Sequence, residues 1–202
     1  MKSRCRLTPN RDLRLEPMGS WRRPASSRSP SLLFAFLAGA LLCLPAAAAG
    51  ELSPGTLELH SPLRLPDLDG RELDLRELRG KVVLVNFWAS WCTPCLEEMP
   101  SIQRLANALR NRPFAVIGVN VGEGELRARA VVQQLGIRFP VLIDKDSAAF
   151  QRWGARVLPT TYVQDGEGII RYLGLGPLEW DSVELVDLLT RIAAGESKVE
   201  SE

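Results

Sequence analysis

The chain has 202 residues, 46% of them hydrophobic, and a formal net charge of +1, which allows one globular domain of ordinary size plus an appendage. The balance hides an asymmetry, because Glu51 to Glu202 carries 17 basic against 22 acidic residues, a net −5. A mildly acidic stretch without a basic stripe or interleaved aromatics gives no reason to propose nucleic acid as a partner, and none is expected.

The appendage lies at the front. Residues 1–30 hold Lys2, Arg4, Arg6, Arg11, Arg14, Arg22, Arg23 and Arg28 against Asp12 and Glu16, with scattered Ser and Pro and no helical or strand period. Ser31 to Leu44 is uncharged and apolar, and Pro45 and the run Ala46 to Gly50 follow. That is the order of a secretory signal peptide, and Leu32 to Ala49 is also just long enough to serve as an uncleaved membrane anchor. The start is Met1 or Met18. Leu42 before Cys43 disfavours lipid attachment there. The predicted organisation is thus 1–50 as signal or membrane tether, 51–195 as the folded domain and 196–202 as a polar tail, with the folded domain on the extracytoplasmic or periplasmic side. In such a compartment disulfides persist.

Past residue 60 the segments alternate in type. Leu63 to Leu75 alternates around Asp69-Gly70 and predicts a β-hairpin. Val82 to Phe87 is a near-continuous apolar run, as in a strand buried on both faces. Cys95, Met99, Ile102, Leu105 and Leu109 recur at helical spacing, so a helix is predicted from about Thr93 to Leu109, with a kink at Pro100. Phe114 to Val121 reads as a strand, Gly124 to Leu135 as a helix, Pro140 to Ile143 as a short strand and Ala148 to Trp153 as a short helix. Thr160 to Gln164 and Ile169 to Leu173 read as a hairpin turning at Asp165-Gly166-Glu167-Gly168. Trp180-Asp181-Ser182 precedes a last helix to about Ala193, whose Val183, Val186, Leu189 and Ile192 share a face. This order predicts an α/β fold with a central mixed sheet, helices on both faces and an N-terminal β-hairpin extension.

The chemistry concentrates in Trp88-Ala89-Ser90-Trp91-Cys92-Thr93-Pro94-Cys95, where a buried strand gives way to a helix. A helix starting near Cys92 points unpaired N–H groups and the positive end of its dipole at that sulfur, which favours thiolate and marks Cys92 as the nucleophile. Cys5 and Cys43 fall in the leader, so only Cys92 and Cys95 remain in the domain. Zinc needs about four ligands, and the sole histidine, His60, cannot supply the missing two. His60 itself reads as a solvated loop residue. A purely structural disulfide across so short a ring would constrain the unfolded chain little.

These residues carry a resemblance. Asp69-Gly70, Leu78-Arg79-Gly80-Lys81, Val82 to Cys95, Glu98-Met99-Pro100 and Leu158-Pro159-Thr160-Thr161 resemble the thioredoxin-like superfamily, and within it the exported thiol-disulfide oxidoreductases of the TlpA and ResA type, with the cytochrome c maturation proteins of the CcmG or DsbE kind as relatives. The resemblance covers about residues 60 to 193. It implies that Cys92 attacks, that Cys95 resolves, and that Pro159 is a cis-proline which leaves the Leu158 backbone free to pair with an extended substrate. Glu98 matches an acid near the dithiol in ResA-like proteins and is a candidate proton acceptor for Cys95. Glu97 should face water. Trp91, Thr93 and Pro94 complete the candidate substrate surface, whereas Trp88 belongs to the core. Asn86 stands where cytoplasmic thioredoxins have a buried aspartate, and an amide cannot exchange protons at neutral pH.

The expected activity is protein disulfide reduction, with apocytochrome c, copper-site proteins or other exported thiol proteins as substrates. The active disulfide Cys92–Cys95 takes the place of a cofactor, no metal is expected, and a membrane electron donor of the DsbD or CcdA type is implied. The open alternatives are a disulfide oxidant or isomerase and a copper-binding chaperone using the two thiolates. The adjacent CxxC argues against a peroxidase.

Overall fold

The computed structural model describes residues 50–57 and 63–196, and of Thr56 and Leu57 the backbone alone. The predicted signal or anchor, the start codon, Cys5, Cys43, His60 and the tail from residue 197 lie outside the described residues.

The elements follow in the order β1 Glu51–Leu57, β2 Arg64–Pro66, β3 Glu72–Asp74, a 3₁₀ turn Leu75–Leu78, β4 Val82–Trp88, α1 Thr93–Ala108, β5 Phe114–Val121, α2 Glu125–Leu135, β6 Val141–Asp144, α3 Ala148–Arg152, β7 Thr160–Gln164, β8 Ile170–Leu175 and α4 Val183–Ala193. Six strands form one mixed sheet in the order β1-β8-β7-β4-β5-β6. The β4–β5 and β5–β6 pairs are parallel, and β4–β7, β7–β8 and β8–β1 are antiparallel. The predicted hairpin is β2–β3, where Leu65 pairs with Leu73. Asp67 Oδ1 closes its turn by accepting from the backbone of Asp69 and Arg71, and Gly70 supplies the positive φ of +79°. An Asp67–Leu142 bridge fastens the hairpin to the β6 edge of the sheet.

The two-residue period of the strands sorts the core into two layers. Val82, Leu84, Trp88, Val116, Val141 and Val163 face α1, α2 and α4, where Met99, Ile102, Leu105, Ala128, Leu189 and Ile192 meet them. Val83, Val85, Phe87, Ile117, Val119, Leu142 and Tyr162 face the hairpin and α3. On that side Phe87, Phe150, Trp153 and Tyr162 form a cluster of tilted and edge-on rings with centroids 5.2–5.9 Å apart.

The structure departs from the sequence pattern at three places. Residues 51–57 form β1, an edge strand without a clear sequence signal because Pro54 and Gly55 weaken the strand pattern. An edge position tolerates both, and the pairing with β8 shifts register between Pro54 and Leu57. Val183 does not share the buried face of α4. It is 72% exposed in the first turn, and burial on that helix centres on Leu189 and Ile192. The helix over Pro100 stays continuous from Thr93 to Ala108.

Candidate active site

The site sits where β4 ends and α1 begins. Cys92 and Cys95 are joined in a disulfide. Cys92 is the N-cap of α1 in extended backbone, Pro94 falls in the first turn where its missing N–H costs nothing, and the backbone N–H of Cys95 donates to Cys92 Sγ at 3.3 Å. A helix N-terminal donor aimed at that sulfur stabilises negative charge on it once the disulfide is reduced. Cys92 is 5% exposed and Cys95 fully buried, an order of access that suits an attacking and a resolving thiol. Trp91, next to them, is 68% exposed, and Thr93 is exposed too, whereas Trp88 is buried. The Leu158–Pro159 bond is cis. It lies at the start of β7, where Thr160 pairs with Phe87 of β4, so the cis-proline and the end of β4 share one end of the sheet. Leu158 is half-buried and Val157 beside it is 51% exposed.

Glu98 is the buried acid one turn beyond Cys95, with 3% of its surface exposed, and Glu97 faces water as expected. Its Oε1 accepts from Asn86 Nδ2 at 2.8 Å, and its Oε2 accepts from the Leu178 backbone N–H and from Trp180 Nε1, both at 3.1 Å. Burial raises its pKa from 4.5 to about 7, against the pull of the three donors. Strand register explains the arrangement: Asn86 lies on the face of β4 that meets α1 and pairs directly with Thr161 of β7, whose Oγ1 accepts from Asn86 Nδ2 at 2.9 Å. Asn86 Oδ1 is buried without a hydrogen-bond partner among the described residues.

The Leu178 and Trp180 donors belong to a segment strapped across α1. Ser101 Oγ accepts from the Trp180 backbone N–H at 3.1 Å, and Arg104 holds Glu179 and Asp181 at the exposed end. No local sequence pattern signals these contacts, because the partners stand some 75 to 82 residues apart in sequence.

A second acid was also missed. Glu123, buried just past β5, accepts from Ser90 N at 2.6 Å, Ser90 Oγ at 2.5 Å and Asn120 Nδ2 at 3.0 Å. Burial would raise its pKa, but the Ser90 and Asn120 donors, with Arg127 nearby, hold it below its ordinary value. Since β4 and β5 are parallel neighbours, the loops beyond their carboxyl ends meet, and Glu123 pins the loop that delivers Cys92. The signal in the sequence was Gly122-Glu123-Gly124, a lone acid between glycines at the end of a parallel strand.

Residues 60–173 match the AhpC/TSA family. The chain is 34% identical over 120 residues to the thiol-disulfide oxidoreductase ResA of Geobacillus thermodenitrificans, covering 59% of this chain and 69% of that one. It is 38% identical over 120 residues to the protein of the same name from Halalkalibacterium halodurans, covering 59% and 68%. Among solved structures, a putative thiol:disulfide interchange protein DsbE from Chlorobium tepidum superposes with a TM-score of 0.63 at 24% identity, over 70% of this chain and 99% of that one, and shares the fold.

Proposed function

The chain belongs to the AhpC/TSA family of thioredoxin-like proteins and is a thiol-disulfide oxidoreductase, and on that premise we propose that it reduces disulfides of exported proteins through the Cys92–Cys95 couple. The observation that carries the reading is Cys92 capping α1 with a backbone N–H on its sulfur, beside an exposed tryptophan.

In the forward direction the Cys92 thiolate attacks one sulfur of a substrate disulfide, forming a mixed disulfide and releasing one substrate thiolate. The Cys95 thiol then loses its proton and attacks Cys92 Sγ. The Cys92–Cys95 disulfide forms, the second substrate thiolate leaves, and two electrons have passed from the dithiol to the substrate. Glu98 takes the Cys95 proton. A carboxyl raised to about 7 is populated in both forms near neutrality, which suits a group that accepts a proton in one step and returns it in the reverse. Trp91, Thr93, Pro94, Leu158 and Pro159 form the substrate surface.

The electrons travel through the two sulfurs with no bound cofactor. Outside the cytoplasm the couple is recharged by a membrane dithiol donor of the DsbD or CcdA type, and the N-terminal segment directs the domain to that side as a signal or a tether. Apocytochrome c and copper-site proteins are the substrate classes proposed. Reduction is favoured over oxidation because Thr93-Pro94 adds no positive charge to stabilise the Cys92 thiolate further. The test is equilibration of the Cys92–Cys95 couple against glutathione, together with a protein-disulfide reduction assay. A potential near the thioredoxin value of about −270 mV supports the reductant, and one near the DsbA value of about −120 mV makes the protein an oxidant.

A further inference from the structure

We propose that Asn86 is the positioning residue that lets Glu98 hold a proton, its side-chain amide turning end for end as the carboxyl gains and loses charge. The inference rests on the reading of Glu98 as acceptor of the Cys95 proton and adds what happens to that proton's hydrogen bond.

The three groups on the Glu98 oxygens are all donors in the state described: Asn86 Nδ2, the Leu178 backbone N–H and Trp180 Nε1. They suit a carboxylate. A protonated carboxyl has an O–H of its own and needs an acceptor, and leaving that O–H buried and unmade costs about 1–3 kcal/mol. A backbone N–H and an indole N–H can only donate. Of the three, Asn86 alone carries an acceptor as well, and its Oδ1 is buried with no partner among the described residues.

The geometry makes the exchange a local one. Nδ2 touches both Glu98 Oε1, at 2.8 Å, and Thr161 Oγ1, at 2.9 Å. A half-turn of the amide puts Oδ1 in the same place, where it accepts from the carboxyl O–H and from the Thr161 hydroxyl, a group that donates as readily as it accepts. Both contacts survive with their direction reversed. The far end of the amide meets no partner among the described residues, so the turn exchanges one unpaired acceptor there for two unpaired N–H donors, while the carboxyl O–H and the Thr161 hydroxyl gain their acceptor in return. Apolar residues at position 86 offer neither direction, and an aspartate would set a second carboxylate beside the first.

Among the described residues no charged side chain is hydrogen-bonded to Glu98. From β4 and β7 the groups in contact are Asn86 and Thr161; from the strap they are Leu178 and Trp180, while Glu179 and Asp181 are paired with Arg104. On α1 itself Cys92 and Cys95 do not titrate in the disulfide form, and Glu97 faces water.

The experiment is a pH titration of the full chain in its disulfide form by nuclear magnetic resonance, with the Glu carboxyl carbons and the Asn side-chain amides labelled. The Asn86 amide should shift with the midpoint of the Glu98 carboxyl, and its protons should lose their cross-relaxation to Thr161 on the acid side. In Glu98→Gln, whose NH₂ replaces the O–H donor, the amide should hold its acid-side position at every pH. Asn86 amide protons that stay beside Thr161 while Glu98 titrates overturn the proposal, as does a Glu98 that keeps one form throughout the folded range. Proton acceptance by Glu98 is read separately, from mixed-disulfide decay, so an amide that turns in a protein whose decay ignores Glu98 leaves this inference standing and removes the catalytic reading.

Discussion

Cys92 caps its own helix, and that single fact predicts its chemistry. The reduced Cys92 thiol should titrate below the free value of about 8.5, measured as alkylation rate against pH, since the Cys95 N–H and the α1 dipole stabilise the thiolate. Cys95→Ser should accumulate substrates as mixed disulfides on Cys92, whereas Cys92→Ser should trap none, as resolved on non-reducing gels. Glu98→Gln should slow decay of a preformed mixed disulfide about 10²-fold, the low end for a general base, and leave the initial attack unchanged in stopped-flow traces. The same carboxyl has a stability signature. Its pKa is raised from 4.5 to about 7, so the folded protein holds a proton that the unfolded chain has released. That contribution is complete below pH 4.5 and is lost as pH rises through 7, on the order of 3 kcal/mol in all. Denaturant unfolding of the oxidised protein should show this fall, and Glu98→Gln should lack it.

At the scale of elements, strand register does the positioning. Pairing Asn86 with Thr161 gathers the polar cluster under α1, and the parallel β4–β5 pair brings Glu123 to Ser90. Glu123→Ala leaves the Ser90 N–H and the Asn120 amide without their buried acceptor. It should cost about 1–3 kcal/mol in unfolding and slow disulfide exchange by loosening the loop before Cys92, both recoverable in part by Glu123→Gln. The sequence made the elements of this site legible because their apolar periods are clean: β5 and β7 run over Phe114–Val121 and Thr160–Gln164 as expected. The CxxC segment, the exposed Trp91 and the buried Trp88 were legible for the same reason. The contacts of Glu98 were not. Periodicity reports which face of α1 is buried, but the strap that covers Glu98 comes from residues 178–180, and no local pattern couples positions so far apart. β1 was hidden by the opposite problem, since Pro54 and Gly55 are poor strand residues whose tolerance depends on being at an edge.

The whole molecule is a mixed sheet with the redox pair at the end of β4 and β1 closing the β8 edge. Among the described residues no helix is long and apolar enough to cross a membrane. β1 begins where Gly50 donates its N–H to Pro177 O at 2.8 Å, and a Cβ on Gly50 would come within 2.5 Å of that oxygen. Pro177 immediately precedes Leu178, one of the donors on Glu98. The first strand and the cage around the buried acid should therefore open together. Removing residues 50–57 should speed hydrogen exchange at the Leu178 amide while exchange in β4 and β5 stays slow. Such a result would mean that a strand remote from the dithiol sets how often water reaches the buried Glu98 carboxyl.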